Sequence, residues 1–66
     1  MNKENAATNI NTALISAAAC GNLDTARFLV EIYGANVNAV NESGDTALSC
    51  AKKYGYNEVV QYLSSL

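Results

Sequence analysis

Histidine, proline and tryptophan are all missing from this 66-residue chain, and glycine and basic residues each occur only four times. Without histidine, neither Cys20 nor Cys50 has an imidazole to activate it as a nucleophile. Two isolated cysteines cannot fill the four-ligand shell of a zinc site. No paired carboxylates fall together in sequence. The glycine-led segments GNLD and GYNE lack the lysine and the spacing of a phosphate-binding loop. No enzyme activity, cofactor or metal is therefore expected.

The four basic residues are Lys3, Arg27, Lys52 and Lys53, and the formal net charge is −2. A nucleic-acid surface needs a basic stripe that neutralises several phosphates, so nucleic acid is not an expected partner. No run of about 18 apolar residues exists to cross a membrane. The polar start, Met1 to Asn11, has no apolar core of a secretory signal. The two cysteines then read as reduced thiols in an intracellular, cytoplasmic protein.

What is present is a globular composition: 50% of residues are hydrophobic and 15% are charged. The length suits one small domain. A chain of this size buries only about 60% of the surface its unfolded form exposes, which predicts marginal stability.

An internal repeat organises the chain. Thr12-Ala13-Leu14 recurs as Thr46-Ala47-Leu48, an offset of 34 residues, and each copy runs nine residues on to a glycine, Gly21 or Gly55. The stretch around Thr12 to Cys20 is rich in alanine, a strong helix former with little bulk. Gly21 can take positive φ and end that helix, and Asn22 suits the N-cap of the next. Leu23, Ala26, Leu29, Val30 and Tyr33 then fall at helical spacing in one apolar stripe. The second copy predicts a helix from about Thr46 to Tyr54, a break at Gly55, a cap at Asn57 and a helix from Glu58 onward. Phe28 and Tyr62 occupy equivalent places and read as packing residues. Between the copies, Gly34 to Asp45 reads as an extended excursion with a tight tip at Glu42 to Gly44.

These residues resemble the ankyrin-repeat family, whose unit of about 33 residues combines a β-turn with two helices and a T-P-L-H-x-A signature. Thr46 to Ala51 (TALSCA) and Thr12 to Ala17 (TALISA) are similar to that signature. Gly34 to Ala39 is similar to the G-A-D-V-N-A segment, Gly44-Asp45-Thr46 to the G-x-T entry, and Gly55 to Val60 to the G-H-x-E-I-V run. Neither copy keeps the signature histidine, so the family's threonine–histidine hydrogen bonding is absent or replaced. Tyr33 is an extra residue before Gly34 and accounts for the longer period.

The resemblance implies an all-α helix–turn–helix repeat solenoid, two stacked ankyrin-like repeats joined by an extended hairpin-like excursion. Residues 1–10 form a polar N-terminal segment, a degraded remnant of an upstream repeat at most. Residues 11–40 form repeat 1, and residues 41–66 form repeat 2. Ala18 in the first copy becomes Lys52 in the second, and Val30 becomes Ser64. Polar residues at such positions are what a C-terminal cap requires.

The resemblance further implies binding to another protein through hairpin tips and a concave inner-helix face. By position, repeat 2 offers Glu42, Ser43 and Asp45 at the tip, with Lys53 and Tyr54 at the end of its inner helix. Repeat 1 offers Thr8, Asn9 and Asn11, with Ala19 and Cys20. Tyr54 leads this set, because tyrosine is enriched among binding hot spots. The alternative is a structural or assembly role, as a self-associating chain or the C-terminal end of a longer array. In repeat 1, Leu14, Ala17 and Leu29 have no full repeat before them. An uncovered apolar face there predicts weak stability, a weak homodimer through the N-terminal repeat, or dependence on upstream repeats.

Overall fold

The computed structural model describes the backbone of residues 4–66, with side chains from residue 9 onward. Four helices follow one another: α1 (Glu4–Ala19), α2 (Leu23–Glu31), α3 (Ala47–Tyr54) and α4 (Asn57–Ser64). Among the described residues there is no strand, and no helix is long and apolar enough to cross a membrane. The helices form two antiparallel pairs set side by side. In this arrangement α1 packs on α2 and α3, α3 packs on α4, and α2 meets α4.

Small side chains allow this closeness. The core is built from Leu14, Ala17, Ala18 and Ala26 of the first pair with Ala47, Cys50, Ala51, Val59 and Leu63 of the second. Alanine keeps helix propensity high while letting the axes approach, so four short helices bury one continuous seam.

The two first-helix stops are alike. At Gly21 (φ 73°), the N–H of Asn22 donates to the carbonyl of Ala17 at 2.9 Å, and that of Gly21 to Ala18 at 3.2 Å. At Gly55 (φ 77°), the N–H of Tyr56 donates to Ala51 at 2.9 Å, and that of Gly55 to Lys52 at 3.2 Å. Both are the left-handed glycine stop that satisfies the last helical carbonyls. The turn after α2 is wider, since the N–H of Ala35 reaches back to the carbonyl of Leu29 at 3.0 Å. That extra width absorbs Tyr33.

Several local expectations change. The first helix begins at Glu4, not at Thr12, so Asn9 and Asn11 lie inside α1 and not on a hairpin tip. Thr8 also falls in α1, and its side chain lies outside the described residues. Asn22 caps α2 as expected, its Oδ1 accepting the Thr25 N–H at 3.3 Å. Asn57, expected as a cap, is instead the first residue of α4, and Tyr56 precedes it without a side-chain cap bond.

The apolar faces also differ from expectation. Leu14 and Ala17 are only 1% and 7% exposed, because α2 and α3 cover α1 from two sides. Phe28, expected to pack inside, is 51% exposed and meets Tyr33 edge-on, with ring centroids 5.2 Å apart. Its equivalent Tyr62 is half-buried against the core. Tyr33, placed in the apolar stripe by spacing, lies beyond the last turn of α2 and is exposed.

Candidate functional site

The segment before α3 is fixed by its own side chains. Oδ1 of Asn41 accepts the backbone N–H groups of Ser43 and Asp45, both at 2.9 Å. The N–H of Asn41 donates to the Asp45 carbonyl, and that of Gly44 to the Asn41 carbonyl, again at 2.9 Å. Asparagine folds the chain this way because its short amide mimics a backbone carbonyl. Gly44 supplies the positive φ of 84°. The result is a closed tip that holds Glu42 and Ser43 out in solvent.

Thr46 then starts α3 through a reciprocal cap. Its Oγ1 accepts the Ser49 N–H at 3.1 Å, and Ser49 Oγ accepts the Thr46 N–H at 2.9 Å. This pair stands where the histidine-containing signature would place its own hydrogen bonds, so the missing histidine is replaced by Ser49. Ser49 Oγ also donates to Asp45 Oδ1 at 3.2 Å. One turn further along α3, Lys53 Nζ donates to Asp45 Oδ2 at 3.2 Å. This hydrogen bond, followed by the Asp45 charge, raises the Lys53 ammonium pKa above its ordinary value, against a smaller lowering by desolvation.

Of the expected tip and inner-helix residues, Asp45 just before α3 and Lys53 on it are therefore joined in one row, with Ser49, which the sequence did not single out, bonded to the same Asp45 carboxylate. Glu42 is in no ion pair among the described residues. Tyr54 is 57% exposed at the far end of α3. At 1.5 Å of rise per residue it stands roughly 10 Å along α3 from Ala47. Asn9 is exposed on α1. Asn11 is half-buried, with its side chain engaged by the backbone N–H of Asn36 at 2.7 Å. Ala19 is half-buried and Cys20 exposed at the end of α1.

An open groove of about 580 Å³ runs between α1 and the tip, lined by Thr12, Val40, Asn41, Glu42 and Ser43. It brings together an exposed carboxylate, two hydroxyls and the apolar Val40, which is 59% exposed. Thr12 and Val40 are absent from the residues expected from sequence. Thr12 becomes accessible only because α1 runs through it, and nothing local marks Val40 as outward-facing. Tyr54 and Lys53 do not line this groove.

A second cluster joins the outer helices. The Tyr62 hydroxyl donates to Glu31 Oε2 at 2.9 Å, and the Arg27 guanidinium lies 5.9 Å from the Tyr62 ring centre. Arg27 Nε also pairs with Glu31 at 3.5 Å, one turn away. Partial burial raises the Tyr62 pKa first, and the hydrogen bond to Glu31 and its charge raise it further, with Arg27 opposing. This cluster ties the repeats together across the outer helices.

Comparison with known proteins agrees with the architecture. A family model described as ankyrin repeats (3 copies) matches residues 1–66. A curated relative from Oryza sativa subsp. japonica, named "Probable E3 ubiquitin-protein ligase XBOS33", is 48% identical over 54 residues. That match takes in 82% of this chain but 10% of the relative's length. No solved structure gave a match.

Proposed function

The chain belongs to the ankyrin-repeat family, and on that footing we propose that it binds a partner protein in the groove between α1 and the 41–45 tip. Ankyrin repeats mediate protein–protein interaction in general. The observation that carries the finer reading is the groove itself, which joins exposed Val40 to Glu42 and Ser43 on a tip pre-formed by Asn41. A rigid tip loses little freedom on binding, so more of each contact is kept as affinity. Asp45 and Lys53 border the contact as a closed ion pair. Tyr54 and Asn9 extend it along the inner helices, and Asn11 supports it from within.

The ligase activity named for the rice protein is not assigned to this chain. The match spans a tenth of that protein. Here Cys50 is buried, and Cys20 has no histidine in the chain to activate it.

The test is a photo-crosslinking side chain at position 43, compared with one at position 61 on α4. The reading expects a discrete protein adduct from position 43 that Val40→Asp abolishes, and none from position 61. Adducts from position 61 alone would overturn it. A second reading, self-association through the first repeat, is favoured by a separate observation: Phe28 on α2 and Ile32 just after it stand exposed.

A further inference from the structure

Resting on the reading that a partner protein occupies the groove between α1 and the 41–45 tip, we propose that the side chain seated there is an arginine on an extended segment of that partner. Its methylene stem packs on Val40, and its guanidinium pairs with the Glu42 carboxylate and the Ser43 hydroxyl. All three residues line the one groove.

Charge fixes the sign of the occupant. Glu42 is exposed and in no ion pair among the described residues. The other acid of the tip is already matched: Asp45 takes Ser49 on one carboxylate oxygen and Lys53 on the other. Along the described side chains of α1, from Asn9 to Ala19, there is no charged residue. Lys52 on α3, Asp24, Arg27 and Glu31 on α2, and Glu58 on α4 line no part of the groove. Lys3 and Glu4 precede the described side chains and are opposite in sign. Among the described residues the groove therefore presents one uncompensated carboxylate, and its electrostatic complement is a cation.

The neighbours of that carboxylate select the kind of cation. Val40 is apolar and 59% exposed, which suits a hydrocarbon stem that keeps its charged head in water. The Ser43 N–H is held by Asn41, while its hydroxyl makes no hydrogen bond among the described residues. Adjacent positions of the tip thus offer a carboxylate and a hydroxyl as acceptors. A guanidinium carries five N–H donors in a planar fork, so it can serve both while its stem stays on Val40. A lysine ammonium is a strongly hydrated point charge and gives up more water for the same contact. The groove, open and about 580 Å³, has room for such a side chain. The tip needs no rearrangement to receive it, because Asn41 already holds its backbone.

The test titrates the end-blocked tripeptide Gly-Arg-Gly into the nitrogen-15-labelled 66-residue chain and follows the backbone amide resonances. The proposal expects saturable shifts at the amides of Thr12, Val40, Glu42 and Ser43. Tripeptides with citrulline, which keeps the shape without the charge, or with leucine should bind about three- to fivefold more weakly, the worth of one exposed ion pair. The lysine tripeptide should fall between. Glu42→Gln should bring arginine down to the citrulline level with the helical circular dichroism intact, and Lys3→Gln should leave the arginine preference in place. No saturable shift at these amides, citrulline or lysine binding as well as arginine, a preference that survives Glu42→Gln, or one lost in Lys3→Gln would each overturn it. The crosslink from position 43 separates this inference from the reading beneath it. An adduct there with a silent arginine peptide removes the arginine and keeps the groove, whereas adducts from position 61 alone remove both.

Discussion

The backbone N–H of Asn36 donates to Oδ1 of Asn11 at 2.7 Å, tying the turn after α2 to a helix 25 residues earlier. The Asn36 side chain in turn accepts the N–H of Asn38 at 2.9 Å. A residue that sequence position assigns to partner contact thus fixes the approach to the tip. Asn11→Ala is expected to cost about 0.5–1.5 kcal/mol, the net worth of one such bond. Asn11→Asp keeps the acceptor and should cost less. Asn9→Ala, on the exposed face of α1, should be neutral or slightly stabilising, because alanine is the better helix former. Urea unfolding midpoints of the three variants check the order.

Thr46 and Thr12 are equivalent in sequence and different in role. Thr46→Ala removes the reciprocal cap with Ser49 and should cost about 1 kcal/mol. Thr12→Ala should change stability by a few tenths at most, since α1 passes through this position and needs no cap there. Chemical denaturation of the pair distinguishes the two roles.

Tyr56 stands over Gly21. A Cβ at Gly21 would lie 2.5 Å from the Tyr56 ring, while one at Gly55 would meet nothing. Both glycines have positive φ, so each alanine variant carries a backbone cost of roughly 1–2 kcal/mol. Gly21→Ala should cost about 1–3 kcal/mol more from overpacking. Adding Tyr56→Ala should recover that excess in a double-mutant cycle. Equal costs at the two glycines would show that the ring swings aside freely.

Alkaline pH should loosen the contact between the outer helices. The Tyr62 hydroxyl donates to Glu31 only while protonated, and its pKa in the folded chain is raised. The stability it contributes is therefore fully present below the ordinary tyrosine value of about 10. It is lost as pH rises through the raised value. Tyr62→Phe should lower stability at neutral pH by about 0.5–1.5 kcal/mol and flatten this alkaline dependence. Thermal melts across that range, with the variant in parallel, provide the measurement.

With a partner in hand, Glu42→Lys should mainly slow association and alter its salt dependence, since the charge sits on an exposed tip. Val40→Ser should act mainly on dissociation, because its contact forms after encounter. Gln61→Ala on α4 serves as the control. Stopped-flow or surface kinetics at two ionic strengths separates these effects.

The local sequence was enough to settle the helical content, the stops at Gly21 and Gly55 and the cap at Asn22. Each depends on near neighbours: alanine propensity, the positive φ that glycine takes without strain, and an amide reaching three residues along. Tertiary structure decided what each repeated position does. Phe28 and Tyr62 match in sequence, yet Tyr62 rests against the preceding repeat and Phe28 stands in solvent. Thr12 and Thr46 match as well, yet one lies mid-helix beside the groove and the other begins a helix. Val40 joins Glu42 in that groove only because α1 reaches back alongside the tip. Burial and hydrogen-bond partners are set by the neighbouring repeat, and an offset of 34 residues carries the residue type but not the neighbour.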